Sequence, residues 1–291
     1  MIHAPVLVKE ILQYLNPQPN ENFIDCTVGE GGHTLEILQK TAPFGKLLGI
    51  DADKHQIDKA RENTREFSQR VILINDSYAH LKEIVEKARF APVDGILLDL
   101  GYSSFHIEES GRGFSFLKDE PLDMRYDARN ELTAEIIVNR YPEQEIEKIL
   151  RQFGEEKFAK HIARNIAKER DQKKITTTFQ LVEIIKKSIP GRAQSGKIHI
   201  ATRTFQALRI AVNGELDNLK AFLPQALAVL KNGGRLAVIS FHSLEDRIVK
   251  NFFKNNSEAQ ILTDKPVTAS QEEIISNPRA RSAKLRAVMK Y

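Results

Sequence analysis

The chain is predicted to fold as an α/β protein, a Rossmann-like doubly wound sheet interrupted by an all-helical insertion. Three observations predict it. Short apolar runs alternate with helical patterns over the first hundred residues, and the alternation resumes after residue 200. Between about 131 and 189 only helical periodicity appears. A Gly-rich turn, Asp25-Cys-Thr-Val-Gly-Glu-Gly-Gly-His33, directly follows the first apolar run, where a doubly wound sheet binds nucleotides. With 291 residues, 41% of them apolar, the chain is long enough for one such core plus an insertion.

Taken in order, residues 22–28 read as a buried strand and 34–40 as the helix after the turn. Residues 46–50 form a second apolar run ending at Asp51, with a charged amphipathic helix at 54–67. The third strand, 71–74, ends at Asn75-Asp76 and precedes a helix at 80–90; the fourth, 93–98, ends in Asp99-Leu-Gly101. Residues 103–124 have scattered glycines and no periodicity, which predicts an ordered functional loop. Helical patterns follow at 131–139, 143–152, 155–169 and 178–188. Residues 201–230 read as helix, Gly233-Gly234 as a turn, 235–241 as a strand and 243–253 as a helix. Residues 258–263 and 285–290 are candidate last strands. The expected organisation is a first sheet segment at 1–107, a loop and helical module at 108–200, and a second sheet segment at 201–291. The two sheet segments need each other to close one core.

Composition narrows the function classes. The N-terminus carries no signal- or transit-peptide pattern, and no apolar run reaches the roughly 20 residues of a membrane span. Cys26 is the only cysteine, which excludes an internal disulfide and a Cys-cluster zinc site and points to the cytoplasm. The net charge of +4 is unevenly spread. Residues 151–210 hold 14 Lys/Arg against 5 Asp/Glu, and residues 277–291 hold 5 Lys/Arg and no acid. The rest of the chain carries 34 acids against 24 bases. An acidic body with two basic zones suits a polyanion such as nucleic acid, although Lys-rich amphipathic helices are also ordinary solvated faces.

The candidate chemistry gathers at strand ends. Gly29, Gly31 and Gly32 permit a tight turn and close approach to a ligand, and Asp51 ends the next strand, where a carboxylate can accept both hydroxyls of a ribose. A phosphate loop would need Gly-Lys-Ser/Thr where His33-Thr34 stands, and a dinucleotide fold would need glycine at Thr34. S-adenosylmethionine has no phosphates and fits the turn better. Tyr78, after the third strand, could lie against adenine or simply pack; Asp99 ends the fourth strand beside the expected methyl position.

The segments His3-Ala-Pro-Val-Leu7, Asp25–His33, Gly95-Ile-Leu-Leu-Asp-Leu-Gly101, Arg112-Gly-Phe-Ser-Phe116 and Leu122-Asp-Met-Arg125 occur in this order. They are followed by Ala201-Thr-Arg-Thr-Phe-Gln-Ala-Leu-Arg-Ile210, Ile239-Ser-Phe-His-Ser-Leu-Glu-Asp-Arg247 and Asn277-Pro-Arg-Ala-Arg-Ser-Ala-Lys-Leu-Arg286. In these segments the chain resembles the bacterial 16S rRNA (cytosine-N4)-methyltransferase family, RsmH or MraW, along essentially its whole length. The resemblance implies a class I methyltransferase sheet with a helical insert. It also implies S-adenosylmethionine as cofactor and, as substrate, a cytidine N4 amine in the decoding region of 16S rRNA within the small ribosomal subunit. It places cofactor contacts at Gly31, Gly32, His33, Asp51, Tyr78, Asp99 and His106. The chain departs from the family pattern at Phe105-His106 for Pro-Gln, at Ile200 for Pro and at Tyr78 for Phe.

Methyl transfer from a sulfonium needs no metal, and no metal-spaced cluster is evident, so none is expected. Asp99, Tyr102 and Ser103 are the candidate catalytic residues: acceptors for the N4 hydrogens, with Tyr102 stacked on the base. Arg112 and Arg125 are candidates to close over a flipped base. Arg203, His242, Arg279, Arg281, Lys284 and Arg286 are further RNA candidates, the last four because their run holds no acid. Two alternatives stay in view. A nicotinamide-dependent oxidoreductase would share the turn and Asp51, and a non-catalytic RNA-binding protein would share the basic zones but would not need Asp51 and Asp99.

Overall fold

The structure, a computed structural model, describes residues 5–194 and 198–291. Seven strands form one sheet: β1 (Phe23–Asp25), β2 (Leu47–Asp51), β3 (Val71–Asn75), β4 (Gly95–Asp99), β5 (Arg235–Ser240), β6 (Ala259–Ile261) and β7 (Lys284–Lys290). Their spatial order is β3-β2-β1-β4-β5-β7-β6. The first five pair with one another in parallel, and β7 runs antiparallel to both β5 and β6. The chain steps outward from β1 to β3 on one side, then returns to pair β4 with β1 on the other. That reversal opens a crevice beyond the carboxyl ends of β1 and β4, the usual ligand position in such sheets.

In chain order the helices of the first sheet segment are α1 (Val8–Leu15), α2 (Gly32–Lys40), α3 (Lys54–Asn63) and α4 (Leu81–Ala88). Next come α5 (Ser104–Glu108), α6 (Ala134–Arg140), α7 (Glu143–Gly154), α8 (Ala159–Arg170), α9 (Thr178–Ser188) and α10 (Thr202–Asn213). The chain then returns through α11 (Glu215–Val229), α12 (Ser243–Asn255) and α13 (Gln271–Ser276). No helix among the described residues is long and apolar enough to cross a membrane.

The period-2 alternation of the strands divides the core into two layers. Ile24, Leu48, Ile50, Ile96, Leu98, Leu236 and Val238 face one way and pack on side chains of α4, α11 and α12. Phe23, Leu47, Leu97, Ala237, Ile239 and Leu285 face the other way, against Ile11 and Leu15 of α1 and Ile37 and Leu38 of α2. Burial on both faces explains the continuous aliphatic runs that made the strands legible.

Tyr102–Glu215 forms a compact unit of its own; the residues before it and Leu216–Tyr291 form the other. The expected joins were after residues 107 and 200, whereas the units divide at 101/102 and 215/216. The displacement at the second join has a packing cause. α10 lies on α7 in the helical unit, so closely that a Cβ on Gly154 would come 2.5 Å from the Arg203 carbonyl oxygen. Its Phe205, Ala207, Leu208 and Val212 complete that unit's core with Ile146, Leu150, Ile162 and Ile185. The single helix expected over 201–230 is two, broken at Gly214, whose left-handed φ of 60° caps α10. The loop expected at 103–124 contains α5 and is tied to the start of α9: Leu122 N–H donates to the Thr176 carbonyl at 3.0 Å and Thr178 N–H to that of Glu120 at 2.9 Å.

Candidate functional site

Three neighbouring strands, β2, β1 and β4, each end in an aspartate: Asp51, Asp25 and Asp99. Between β1 and α2 the chain turns through Gly31 at φ 91°, a left-handed conformation that favours glycine. At Gly32, where α2 begins, the requirement is space instead: a Cβ would stand 3.1 Å from Cγ of Pro5. These two glycines hold the turn tightly over the strand ends.

Asp25 lies beneath the turn, 1% exposed, and acts structurally. Its carboxylate accepts from the Thr34 hydroxyl at 2.8 Å and from Thr27 N–H at 3.2 Å, fastening both sides of the turn. Burial pushes its carboxyl above the usual range, against the pull of nearby His33. Thr34→Val should therefore cost about 1–3 kcal/mol in a urea titration, the penalty for stranding a buried hydrogen-bonding group.

Asp51 fastens the other edge. It accepts from Gly29 N–H at 3.0 Å through one oxygen and from Asp53 N–H at 2.9 Å through the other. Burial pushes its carboxyl up to about 7, although both hydrogen bonds pull downward. Asn75, in register with Asp51 on β3, donates to the Asp51 and Ala52 carbonyls at 2.9 Å each and fixes the strand end.

Asp99 is held by its backbone, whose N–H donates to Thr27 Oγ1 at 2.7 Å. His33 Nε2 stands 3.5 Å from Asp99 Oδ2. Both ring nitrogens of His33 and Oδ1 of Asp99 are buried without hydrogen-bond partners, and so are both amide atoms of Gln56 on α3. Buried polar atoms are nearly always paired, so these atoms are suited to meet a polar ligand. Tyr78 opens a one-turn helix after β3, half-buried, with its ring edge-on to Phe222 at 5.5 Å. Cys26 is inert as a nucleophile: burial, reinforced by Asp25, pushes its thiol well up.

In the helical unit, Ser103 caps α5, and His106 turns back on it, with Nδ1 accepting from Ser103 N–H at 3.1 Å. The His106 ring is 5% exposed and packs 5.0 Å from Phe114 and 5.1 Å from Tyr126. It therefore caps the helix and packs as a core ring. Tyr102 is 45% exposed, and the guanidinium of Arg209 lies 4.9 Å from its ring centre. Arg209, 8% exposed, forms a two-point ion pair with Glu215, both bonds at 2.8 Å. Burial alone would lower the Arg209 pKa; Glu215 raises it well above the ordinary value.

Several RNA candidates make hydrogen bonds and ion pairs within the fold. Arg125 donates to both Asp123 oxygens, at 2.7 and 2.8 Å, and to the Ala128 and Asn130 carbonyls. Arg112 donates to the Arg125 and Tyr126 carbonyls at 3.0 and 3.1 Å. Both brace the loop. Arg286, 7% exposed within β7, pairs with Asp246 of α12 at 2.6 Å, an acid outside its own sequence run. Lys284 is half-buried in the same strand, opposite Ser240. Arg279 and Arg281 sit exposed on a short helix, Pro278–Ser282. His242 caps α12, its Nδ1 accepting from Glu245 N–H at 3.4 Å, with Nε2 3.1 Å from Glu245 Oε1. Arg203 is half-exposed and reaches the Glu155 carbonyl at 3.5 Å.

Sequence reasoning missed the Arg209–Glu215 pair, the Thr27 anchor and Gln56. A helical Arg six residues before a Glu across a glycine was the one available signal for the first; nothing in sequence marked the other two.

Residues 1–291 match the family described as MraW methylase. The chain belongs to the MraW methylase family. Among its curated relatives, the Ribosomal RNA small subunit methyltransferase H of Syntrophotalea carbinolica is 47% identical, covering 98% of this chain and 97% of the relative. The protein of that name from Symbiobacterium thermophilum is 45% identical over 99% and 96%, and that from Thermotoga neapolitana 46% over 98% and 95%. With near-complete coverage of both partners, the MraW assignment spans the sheet and the helical unit alike. It also decides against the nicotinamide-dependent oxidoreductase and the non-catalytic RNA-binding protein.

Proposed function

We propose that this MraW-family enzyme uses S-adenosylmethionine to methylate the N4 amine of a cytidine in the decoding region of 16S rRNA, within the small ribosomal subunit in the cytoplasm. The observation that carries the cofactor reading is the row of three aspartates closing β2, β1 and β4 beneath a glycine turn. The relatives' names, which specify small-subunit ribosomal RNA, support the substrate class.

The roles follow from position. Asp51 is the ribose acceptor; its carboxylate already stands at the rim and can take up two hydroxyl donors. Gly31 and Gly32 let the backbone approach the cofactor's amino-acid portion, and His33 supplies a buried ring whose nitrogens lack partners. Tyr78 lines the adenine side. When bound, S-adenosylmethionine supplies an electrophilic methyl group on a sulfonium. Asp99 accepts hydrogen bonds from the N4 amine, which raises electron density on nitrogen and leaves an acceptor for the departing proton. Tyr102, steadied on one face by Arg209, offers its ring for stacking on the cytosine, and Ser103 follows as a second polar contact. Arg279 and Arg281 remain phosphate contacts.

Two measurements test the cofactor half. Asp51→Ala should weaken S-adenosylmethionine binding by at least about 100-fold in calorimetry, because a charged acceptor of two hydroxyls is worth about 3 kcal/mol or more. The unmodified protein should show a pH dependence set by the same carboxyl. Ribose hydroxyls favour the ionised form, so binding lowers the Asp51 pKa from about 7 and releases a proton. Affinity should be level well above pH 7 and fall toward tenfold per unit below it. An affinity independent of pH between 5.5 and 8 would remove Asp51 from the ribose role.

A further inference from the structure

Within the helical unit, α8 carries a basic stripe that the site described above does not use. Ile162, Ala163 and Ile166 are fully buried in the unit's core, with Ala159. Lys160, Arg164 and Lys168 lie on the opposite, exposed side, four residues apart, and exposed Lys157 precedes them by three. At about 1.5 Å of rise and 100° of turn per residue, the three helical cations rise roughly 6 Å per step in a row that slants by about 40° each time. Residues 157–168 contain no Asp or Glu. The flanking acids are engaged elsewhere: Glu156 is buried and accepts from Phe158 N–H, and Glu169 pairs with Lys187.

Three other helical cations of this unit show what a solvated amphipathic face looks like. Lys148 pairs with Glu145, Arg151 with Glu147 and Lys186 with Glu183, each at three or four residues' spacing. Such mixed-sign faces are the ordinary state of a surface helix. Among the described residues, none of Lys157, Lys160, Arg164 and Lys168 has a carboxylate within ion-pair distance. An unscreened row of like charges repels itself along the helix, a cost that an anionic partner removes.

We propose that this stripe on α8 is a docking surface for the phosphate backbone of the RNA substrate. The inference rests on the substrate reading given above. A row of cations rising about 6 Å per step suits successive phosphates of a single strand or one rim of a groove. The exposed side has cations but no accompanying apolar residues, since the apolar residues of α8 are buried in the core. That argues against a membrane surface, which takes an amphipathic helix apolar face first. Phosphate contacts position a substrate without reading its sequence, which is the task left to a helical unit remote in sequence from Asp51.

The test compares the intact protein with the variant K160Q/R164Q/K168Q, whose substitutions lie on an exposed helix face and keep good helix formers. Binding to a 16S rRNA fragment containing the decoding region is measured across a potassium chloride series. Three lost phosphate contacts should reduce the slope of log K against log salt by about 2–3. Affinity at 0.1 M salt should fall at least tenfold, while S-adenosylmethionine affinity and turnover at saturating RNA stay level. The control variant K54Q/K59Q, on the ion-paired face of α3, should keep the original slope. An unchanged slope in the α8 variant overturns the proposal and leaves the enzyme's substrate class intact. Failure of the unaltered protein to bind the RNA would instead remove the substrate reading, and this surface with it. Stripe-dependent binding to phosphatidylserine vesicles, with RNA binding unaffected, would also overturn it.

Discussion

Asp99→Asn should lower methyl transfer by about 10²–10³-fold while S-adenosylmethionine affinity changes by less than about tenfold. The reason is geometric and electrostatic. Asp99 ends a central strand, its backbone anchored on Thr27 and its Oδ1 buried with no partner. Loss of one preorganised charged acceptor at the reacting nitrogen carries a penalty of that size. An amide keeps the volume and one acceptor oxygen, but it loses the negative charge and puts an NH2 donor where the second acceptor oxygen stood. Tyr102→Ala should act differently, raising KM for RNA more than it lowers kcat, because stacking on a base is worth about 1–3 kcal/mol. Single-turnover methylation with bound labelled cofactor separates the two. Unchanged turnover in both variants would move the catalytic group away from the end of β4.

The second large effect concerns stability. Glu215→Ala should destabilise the protein by about 3–5 kcal/mol in urea, because it leaves the buried Arg209 guanidinium without its carboxylate. The paired substitution Arg209→Met with Glu215→Leu should recover most of that loss, since a buried ion pair exchanged for apolar side chains is often close to neutral. Its methylation activity should stay low all the same. Removal of the guanidinium withdraws the support 4.9 Å from the Tyr102 ring. Recovery of both stability and activity in the double variant would show that Tyr102 needs no such support.

Most of the sheet was legible because its strands are buried on both faces and so read as unbroken aliphatic runs. The turn at Asp25–His33, and Asp51 and Asp99 at strand ends, were legible for the same reason: each closes such a run. α1 was not legible because a helix of eight residues buries only Ile11 and Leu15, too few positions to establish a helical period. The break at Gly214 was hidden inside a long apolar pattern that either one helix or two would produce. Arginines were the least legible residues. Arg125 turns back on Asp123, two residues away, whereas Arg286 lies in an acid-free run and meets Asp246, a carboxylate that only folding brings within reach. Charge along the sequence identifies basic zones, but which cations stay exposed is a property of packing, as α8 and β7 illustrate in opposite senses.

The reaction proposed for this enzyme is the transfer of a methyl group to one cytidine nitrogen of 16S rRNA. Its most direct test incubates the protein with methyl-labelled S-adenosylmethionine and either small subunits or naked 16S rRNA lacking the modification, followed by mass mapping of the product nucleosides. One N4-methylcytidine in the decoding region, formed on assembled subunits in preference to naked rRNA, is the predicted result. Label on carbon 5 of the base, on a ribose oxygen or on no nucleoside at all would contradict it.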